Sequence, residues 1–308
     1  MTNAGKIVMP NQKLLIIGNG FDLDLGLRTT YWDFAKSRLW PCCTQTEIYS
    51  LYDFLEKEKK TQKWIDLEVS LRKYAREPAY ESKALYDAKI VKSMYDKLVG
   101  NMMEYLNEEF RNAALVEDSM AVKVLRGVIA NGFYDSVYTF NYTSLSDIAN
   151  RLGLNTPPKT IHIHGALKNK TAILGFDEDV EVHDKLKFMY KAFNPSYLSN
   201  TLIHDLSTAE EVVIFGHSLG DIDYMYFKDF FTSLVMDSKN RCNRRKVTIF
   251  TCDYDSRMEI LTQLHRRKLS IEQITRLNDF NIICTHGADE GKLLDFLEYH
   301  DKMRRSDF

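Results

Sequence analysis

Four short stretches carry residues able to do chemistry, and each closes or follows an apolar run. Gly18-Asn19-Gly20-Phe21-Asp22 follows Lys13–Ile17, and Tyr138-Thr139-Phe140-Asn141-Tyr142-Thr143 ends the run beginning at Ser136. His162-Ile163-His164-Gly165 ends the run beginning at Thr160, and Gly216-His217-Ser218-Leu219-Gly220-Asp221-Ile222-Asp223 follows Glu211–Phe215. A glycine pair at a strand's carboxyl end lets the backbone approach a pyrophosphate, whose charge the next amides and a helix N-terminus then hold. Gly18, Asn19, Gly20, Phe21 and Asp22 are therefore candidate nucleotide contacts, although the third glycine of the dinucleotide fingerprint would fall at Leu23. A tight strand-to-helix turn is the plainer account of the same residues. An asparagine amide orients a nucleophile and an imidazole titrates near neutral pH, so Asn141 and His164 form the candidate catalytic pair. Strand alternation places His162 and His164 on one face, with His164 nearer the mouth. Outside such a context, an asparagine at a strand end is a turn former and His-Gly is a cap.

The stretch from Gly216 to Asp223 admits two readings. In one it is a nucleotide-binding turn, in which Gly216, Ser218 and Asp223 meet the phosphate or ribose. In the other it is the nucleophile elbow of an α/β-hydrolase, with Ser218, Asp253 or Asp255, and His286 in the chain order of a triad. The second reading has only one βα unit between serine and acid, and assigns no role to Asn141 or the opening glycine turn.

These residues need strands that end beside one another. The runs at Lys13–Ile17, Ser136–Phe140, Thr160–Ile163, Glu211–Phe215, Val247–Thr251 and Asn281–Cys284 are continuously apolar, as strands buried on both faces are. Helix-period stretches such as Tyr224–Val235, Ser256–Arg267 and Gly291–His300 separate them, which predicts a Rossmann-like, doubly wound α/β domain with a mostly parallel sheet. Between the first strand and Ser136 no strand pattern occurs. Tyr49–Lys60 and Lys63–Arg76 read as helices, and Val91, Tyr95, Leu98, Met102, Leu106 and Phe110 form one helical stripe. The expected organisation is a nucleotide-binding domain of residues 1–34 and 126–308, with a helical subdomain of residues 35–125 inserted into it.

Composition narrows the function classes. The chain has 308 residues, 44% hydrophobic and 27% charged, with formal net charge −2. No global field draws it to nucleic acid or to an anionic membrane. The clusters Arg241–Lys246 and Arg266–Lys268 read as solvated turns. Five cysteines without C-x-x-C spacing exclude a disulfide framework or zinc ribbon, and no His/Asp spacing makes a metal-ligand set. No signal peptide or membrane-length apolar run is present, which leads to the expectation of a cytoplasmic protein.

Taken in order, the motifs resemble the AbiH family of bacterial abortive-infection proteins, and more distantly the sirtuin-like NAD⁺-binding fold. The resemblance rests on Leu14-Leu15-Ile16-Ile17-Gly18-Asn19-Gly20-Phe21-Asp22, Tyr31-x-Asp33-Phe34, Phe140-Asn141-Tyr142, His162-x-His164-Gly165 and Gly216-His217-Ser218-Leu219-Gly220-x-x-Asp223. It implies that Gly18 and Gly20 hold a diphosphate, that Asn141 and His164 flank the nicotinamide ribose, and that Gly216 and Ser218 meet the nucleotide. The chain departs from sirtuins at Asp22 and Thr143 and lacks the zinc-binding cysteines, so the implied chemistry is nucleotide hydrolysis rather than protein deacylation.

The function that follows is cleavage of NAD⁺, or a related adenine nucleotide, to nicotinamide and ADP-ribose in anti-phage defence. NAD⁺ is then the substrate, no metal is needed, a phage-derived trigger is expected, and a homo-oligomer is compatible. Asn141 would orient the water, His164 would accept a proton, and Asp22 or Asp223 would favour the cationic transition state. The alternatives are the Ser218 hydrolase and a nucleotide-sensing module without turnover.

Overall fold

The computed structural model describes residues 12–41, 50–62, 66–76, 88–131, 134–155, 157–197, 199–236, 244–287, 289, 291–292 and 294–298. Cys42, Cys43 and Cys242 lie outside them, and Cys252 and Cys284 are free thiols.

All six expected strands form: β1 (Gln12–Ile17), β2 (Ser136–Thr139), β3 (Thr160–His162), β4 (Ala209–Phe215), β5 (Lys246–Thr251) and β6 (Asp279–Cys284). They make one sheet in the order β3-β2-β1-β4-β5-β6, and every neighbouring pair is parallel. Continuous apolarity has a direct cause here. Leu14 and Ile16 of β1 pack into one core, while Leu15 and Ile17 pack into another on the opposite face. Strand β4 repeats this, with Val212 and Ile214 on one side and Val213 and Phe215 on the other. Successive side chains point to opposite faces, so a strand covered on both faces must be apolar at every position.

Helices cover both faces. One face carries α8 (Ser199–Thr208), α9 (Tyr224–Val235), α10 (Tyr254–Arg266) and α11 (Ile271–Leu277), through side chains such as Leu202, Phe227, Phe231, Leu264 and Ile274. The other carries α1 (Gly20–Asp24), α6 (Met120–Asn131) and α7 (Leu145–Arg151), through Phe21, Leu125 and Ile148. The fold is thus the expected doubly wound, Rossmann-like α/β architecture.

Between β1 and α6 run α2 (Tyr31–Ala35), α3 (Leu51–Gln62), α4 (Leu67–Arg76) and α5 (Ala88–Asn112). They build a third core in which Leu55, Leu71, Leu98 and Met102 pack with Leu174, Phe176, Leu186 and Met189. The segment after β3 therefore packs with the helices, and Met120–Leu125 of α6 pack on the sheet. Among the described residues no helix is long and apolar enough to cross a membrane. In the basic clusters, Arg244 binds the Thr275 and Asn278 carbonyls, Arg245 binds Ser233 and the Ser207 carbonyl, and Arg267 pairs with Asp221 at 2.6 Å.

Candidate functional site

The sheet order reverses direction between β1 and β4. In open parallel sheets the crevice for a ligand opens outside the carboxyl ends of the strands at such a switch point. The four motifs follow β1, β2, β3 and β4, so all of them lie along this edge.

The loops after β1 and β4 are locked together. Gly18 N donates to Phe215 O at 2.9 Å, Gly20 N to Gly216 O at 2.8 Å, and Phe21 N to Gly18 O at 3.0 Å. A Cβ on Gly20 would lie 2.7 Å from Gly216 Cα, and one on Gly216 the same distance from Gly20 Cα. The amides of Gly18, Gly20 and Phe21 are engaged by backbone carbonyls, and the glycines are required by contact between two loops. Asn19 Oδ1 accepts from Thr29 Oγ1 at 2.7 Å, and Phe21 is a core residue whose ring meets Phe215 edge-on. Gly216 also has φ +66°. Gly216→Ala therefore combines a backbone clash with an unfavourable φ and is expected to cost about 3 kcal/mol or more. Denaturant midpoints measure this, and a near-wild-type midpoint would show that the loops separate freely.

The β2 loop is held onto β1's end by a buried polar cluster. Asp22 is 1% exposed, and its Oδ1 accepts from Asn141 Nδ2 and from Thr143 Oγ1, both at 2.9 Å. Asp22 Oδ2 lies 2.8 Å from the same hydroxyl. Burial pushes the Asp22 carboxyl up to about 7, and the bonds from Thr143 and Asn141 offset only part of that. Asn141 is 5% exposed, and its Oδ1 is buried with no hydrogen-bond partner among the described residues. A buried amide oxygen without a donor carries a desolvation cost of about 1–3 kcal/mol unless a ligand or water satisfies it. Such an atom is what a site for a hydroxylated ligand presents. His162 Nδ1 lies 3.0 Å from the Asn141 carbonyl oxygen, so His162 supports the loop from β3.

Beside this cluster sits a second one. Phe140 joins the two, with ring contacts to His164 at 5.3 Å and His217 at 4.4 Å between centroids. At its centre is Lys191, 1% exposed, from a short 3-10 turn (Lys191–Phe193). Its Nζ lies 3.1 Å from Glu68 Oε1, from Asp223 Oδ1 and from His164 Nε2. His164 Nε2 is also 3.1 Å from Asp223 Oδ1, and His217 Nε2 is 3.7 Å from Asp223 Oδ2. His217 Nδ1 accepts from Leu219 N at 3.0 Å, which puts the His217 proton on Nε2, facing Asp223. Burial disfavours the Lys191 charge, but Asp223 and Glu68 outweigh it and hold the ammonium protonated. Burial likewise pushes Asp223 up, yet the Lys191 ammonium brings its carboxyl well below the usual range. Burial lifts Glu68 to about 8 despite the ammonium, so near neutral pH Asp223 is the principal counter-ion. His164 is held below its ordinary value by burial and by Lys191, so the ring is neutral. Glu68, His164 and Asp223 bring three ligand atoms within 4.8 Å of one another, a spacing suited to a metal ion, but the ammonium stands among them.

Sequence reasoning missed Glu68 and Lys191, each for want of a strand-end motif. Two weak signals existed. Glu68 lies on the face of α4 that buries Leu67, Leu71, Tyr74 and Ala75, and a carboxylate on an apolar stripe needs a partner. Lys191 interrupts Phe188-Met189-Tyr190 and Ala192-Phe193, where a lysine is equally out of place.

The Ser218 triad does not assemble. Ser218 is exposed, while Asp253 caps α10 by accepting from Ser256 N and Oγ. His286 Nε2 faces Asp24 Oδ1 at 3.4 Å, and its Nδ1 faces Thr285 Oγ1 at 3.1 Å. Positive φ falls on Gly216 and Leu219 rather than on the serine, and α9 begins only at Tyr224, so the turn is no elbow.

The comparisons with known proteins follow the same lines. A solved structure, Sir2 bound to acetylated peptide, is similar at 10% sequence identity, covering 84% of this chain and 94% of that chain with a TM-score of 0.31. The strand order, not that likeness, establishes the fold. No curated protein matches the chain. The family model for bacteriophage abortive infection AbiH matches residues 14–243, well over half of the sequence. The protein belongs to the AbiH family.

Proposed function

We propose that the protein hydrolyses NAD⁺ to nicotinamide and ADP-ribose, and that this depletion serves bacteriophage abortive infection. The observation that carries the reading is Asn141, whose Nδ2 is fixed by Asp22 while its Oδ1 stays buried and unpaired at the switch-point edge. In the reaction the C1′–N bond breaks with its electron pair on nicotinamide, a water oxygen bonds to C1′, and one proton is released. The leaving group is already cationic and needs no acid. Catalysis reduces to aiming the water and stabilising positive charge on the ribose. Asn141 Oδ1 is the acceptor that aims the water, and the Asp22 and Asp223 carboxylates supply negative charge at the crevice. Gly18, Asn19, Gly20 and Phe21 form the opening turn that would meet the diphosphate, held in place by its contacts with the loop after β4. Ser218 is the exposed hydroxyl of the turn that would meet the nucleotide.

Incubating the pure protein with NAD⁺, with and without phage lysate as a source of trigger, and assaying nicotinamide and ADP-ribose tests the reading. NAD⁺ binding without either product under both conditions would make the protein a nucleotide-sensing module. Ser218→Ala is expected to raise KM about ten- to hundredfold with kcat little changed, the loss of one hydrogen bond to a charged group. No fluorophosphonate label should form on Ser218, and stoichiometric labelling would return the serine-hydrolase reading.

A further inference from the structure

The Lys191 ammonium has three hydrogens, and three partners surround it: the Glu68 carboxyl, Asp223 Oδ1 and His164 Nε2. With one hydrogen directed to each of these three groups, His164 Nε2 receives the third and must offer its lone pair. A proton on Nε2 would instead put two donors 3.1 Å apart inside a buried cluster, beside a full positive charge. Asp223 Oδ1, also 3.1 Å from Nε2, competes for such a proton, but it already receives the ammonium at the same distance. The ring is neutral, so it carries a single proton. That proton is then on Nδ1, which has no hydrogen-bond partner among the described residues.

From this geometry we infer that Lys191 is a positioning residue that fixes His164 as the Nδ1–H tautomer, so that the ring meets a ligand as a hydrogen-bond donor and not as a base. The lysine is well placed to impose this. Its own N–H donates to Phe176 O at 2.9 Å, Phe176 and Tyr190 form a bridge, and Gly175 N reaches Glu68 Oε1 at 3.4 Å. The charged and titratable groups around the ring are Glu68 from α4, Lys191 from the 3-10 turn, Asp223 and His217 from the loop after β4, Tyr142 from the loop after β2 and Tyr226 from α9. A fixed N–H at the crevice selects an oxygen acceptor, and under the proposed NAD⁺ reading, on which this last step rests, that acceptor is a ribose or phosphoryl oxygen.

Nitrogen-15 NMR of the imidazole rings in the full chain distinguishes the tautomers directly. His164 is expected to show a protonated Nδ1 and a bare Nε2 at pH 7–8. In Lys191→Met the proton should move to Nε2, where Asp223 Oδ1 becomes its acceptor. A wild-type His164 protonated on Nε2, or on both nitrogens at pH 7, would overturn the inference, and this holds even if Lys191→Met fails to fold. A folded Lys191→Met variant that keeps the Nδ1–H form would overturn the role of Lys191. The ring's proton is read without any substrate, so a protein that leaves NAD⁺ intact but shows the Nδ1–H form would sink the glycohydrolase reading alone.

Discussion

Asn141→Ala is expected to lower NAD⁺ turnover by roughly 10²–10⁴-fold, the usual consequence of losing a group that positions a reacting water or proton. The folded state should survive the change. The substitution removes the bond from Nδ2 to Asp22, but Thr143 Oγ1 still reaches both Asp22 oxygens, at 2.9 and 2.8 Å. It also removes a buried oxygen that has no partner, which offsets part of the lost bond. The backbone stays anchored, because Asn141 N donates to Thr139 Oγ1 at 3.1 Å and does not need the side chain. A melting temperature within a few degrees of wild type is therefore expected, as for a net change of about 1 kcal/mol. A variant that folds and turns over NAD⁺ at near the wild-type rate would mean that the unpaired oxygen serves no reaction.

The fold was legible because its physics is local. A strand covered on both faces has to be apolar at each position, and β1, β4 and β5 say so in consecutive residues. Helix α9 was readable to the residue, since its period places Phe227, Phe230, Phe231 and Leu234 on one side. The strand order was not written in any run of residues; it depends on which chain segments cross which face. The glycine turn shows how one motif admits two causes. Gly18 and Gly20 stand where a nucleotide fingerprint would put them, yet what approaches them most closely is the backbone of Gly216 and His217. A glycine reports that something comes near, and sequence cannot say whether that is a phosphate or another turn.

The candidate site was half legible for a related reason. Asp22, Asn141, His164 and Asp223 follow strands, and the doubly wound topology brings strand ends together. Glu68 and Lys191 come from a helix and a 3-10 turn in the parts that pack outside the sheet, and only the third core carries them to His164. Their presence changes the chemistry that strand-end residues alone suggest. His164 without Lys191 reads as a base, and with Lys191 on its Nε2 that lone pair is already in use.

Asp22→Asn should make the protein more stable and less active, with a stability gain that grows above about pH 4 and is complete above about pH 7. Folding raises this carboxyl from 3.8 to about 7. Between these values the folded chain holds a proton that the unfolded chain has released, so wild-type stability falls as pH climbs through this window, and the loss is complete above it. A shift of this size corresponds to on the order of 4 kcal/mol, or roughly 5–10 °C in melting temperature. Asparagine removes the penalty and keeps the geometry, since its oxygen accepts from Asn141 Nδ2 and its amide donates to Thr143 Oγ1. Wild type and variant should unfold at similar denaturant concentrations near pH 4 and diverge progressively up to pH 8. A pH-independent difference would mean that folding does not raise the Asp22 carboxyl above its unfolded value. If the carboxylate stabilises the developing ribosyl cation, NAD⁺ turnover in Asp22→Asn should fall by about 10²-fold or more. Wild-type turnover should rise with pH through about 7, the value at which Asp22 ionises. A buried aspartate kept against its own cost in stability is explained by such a role, because asparagine would serve the hydrogen bonds equally well.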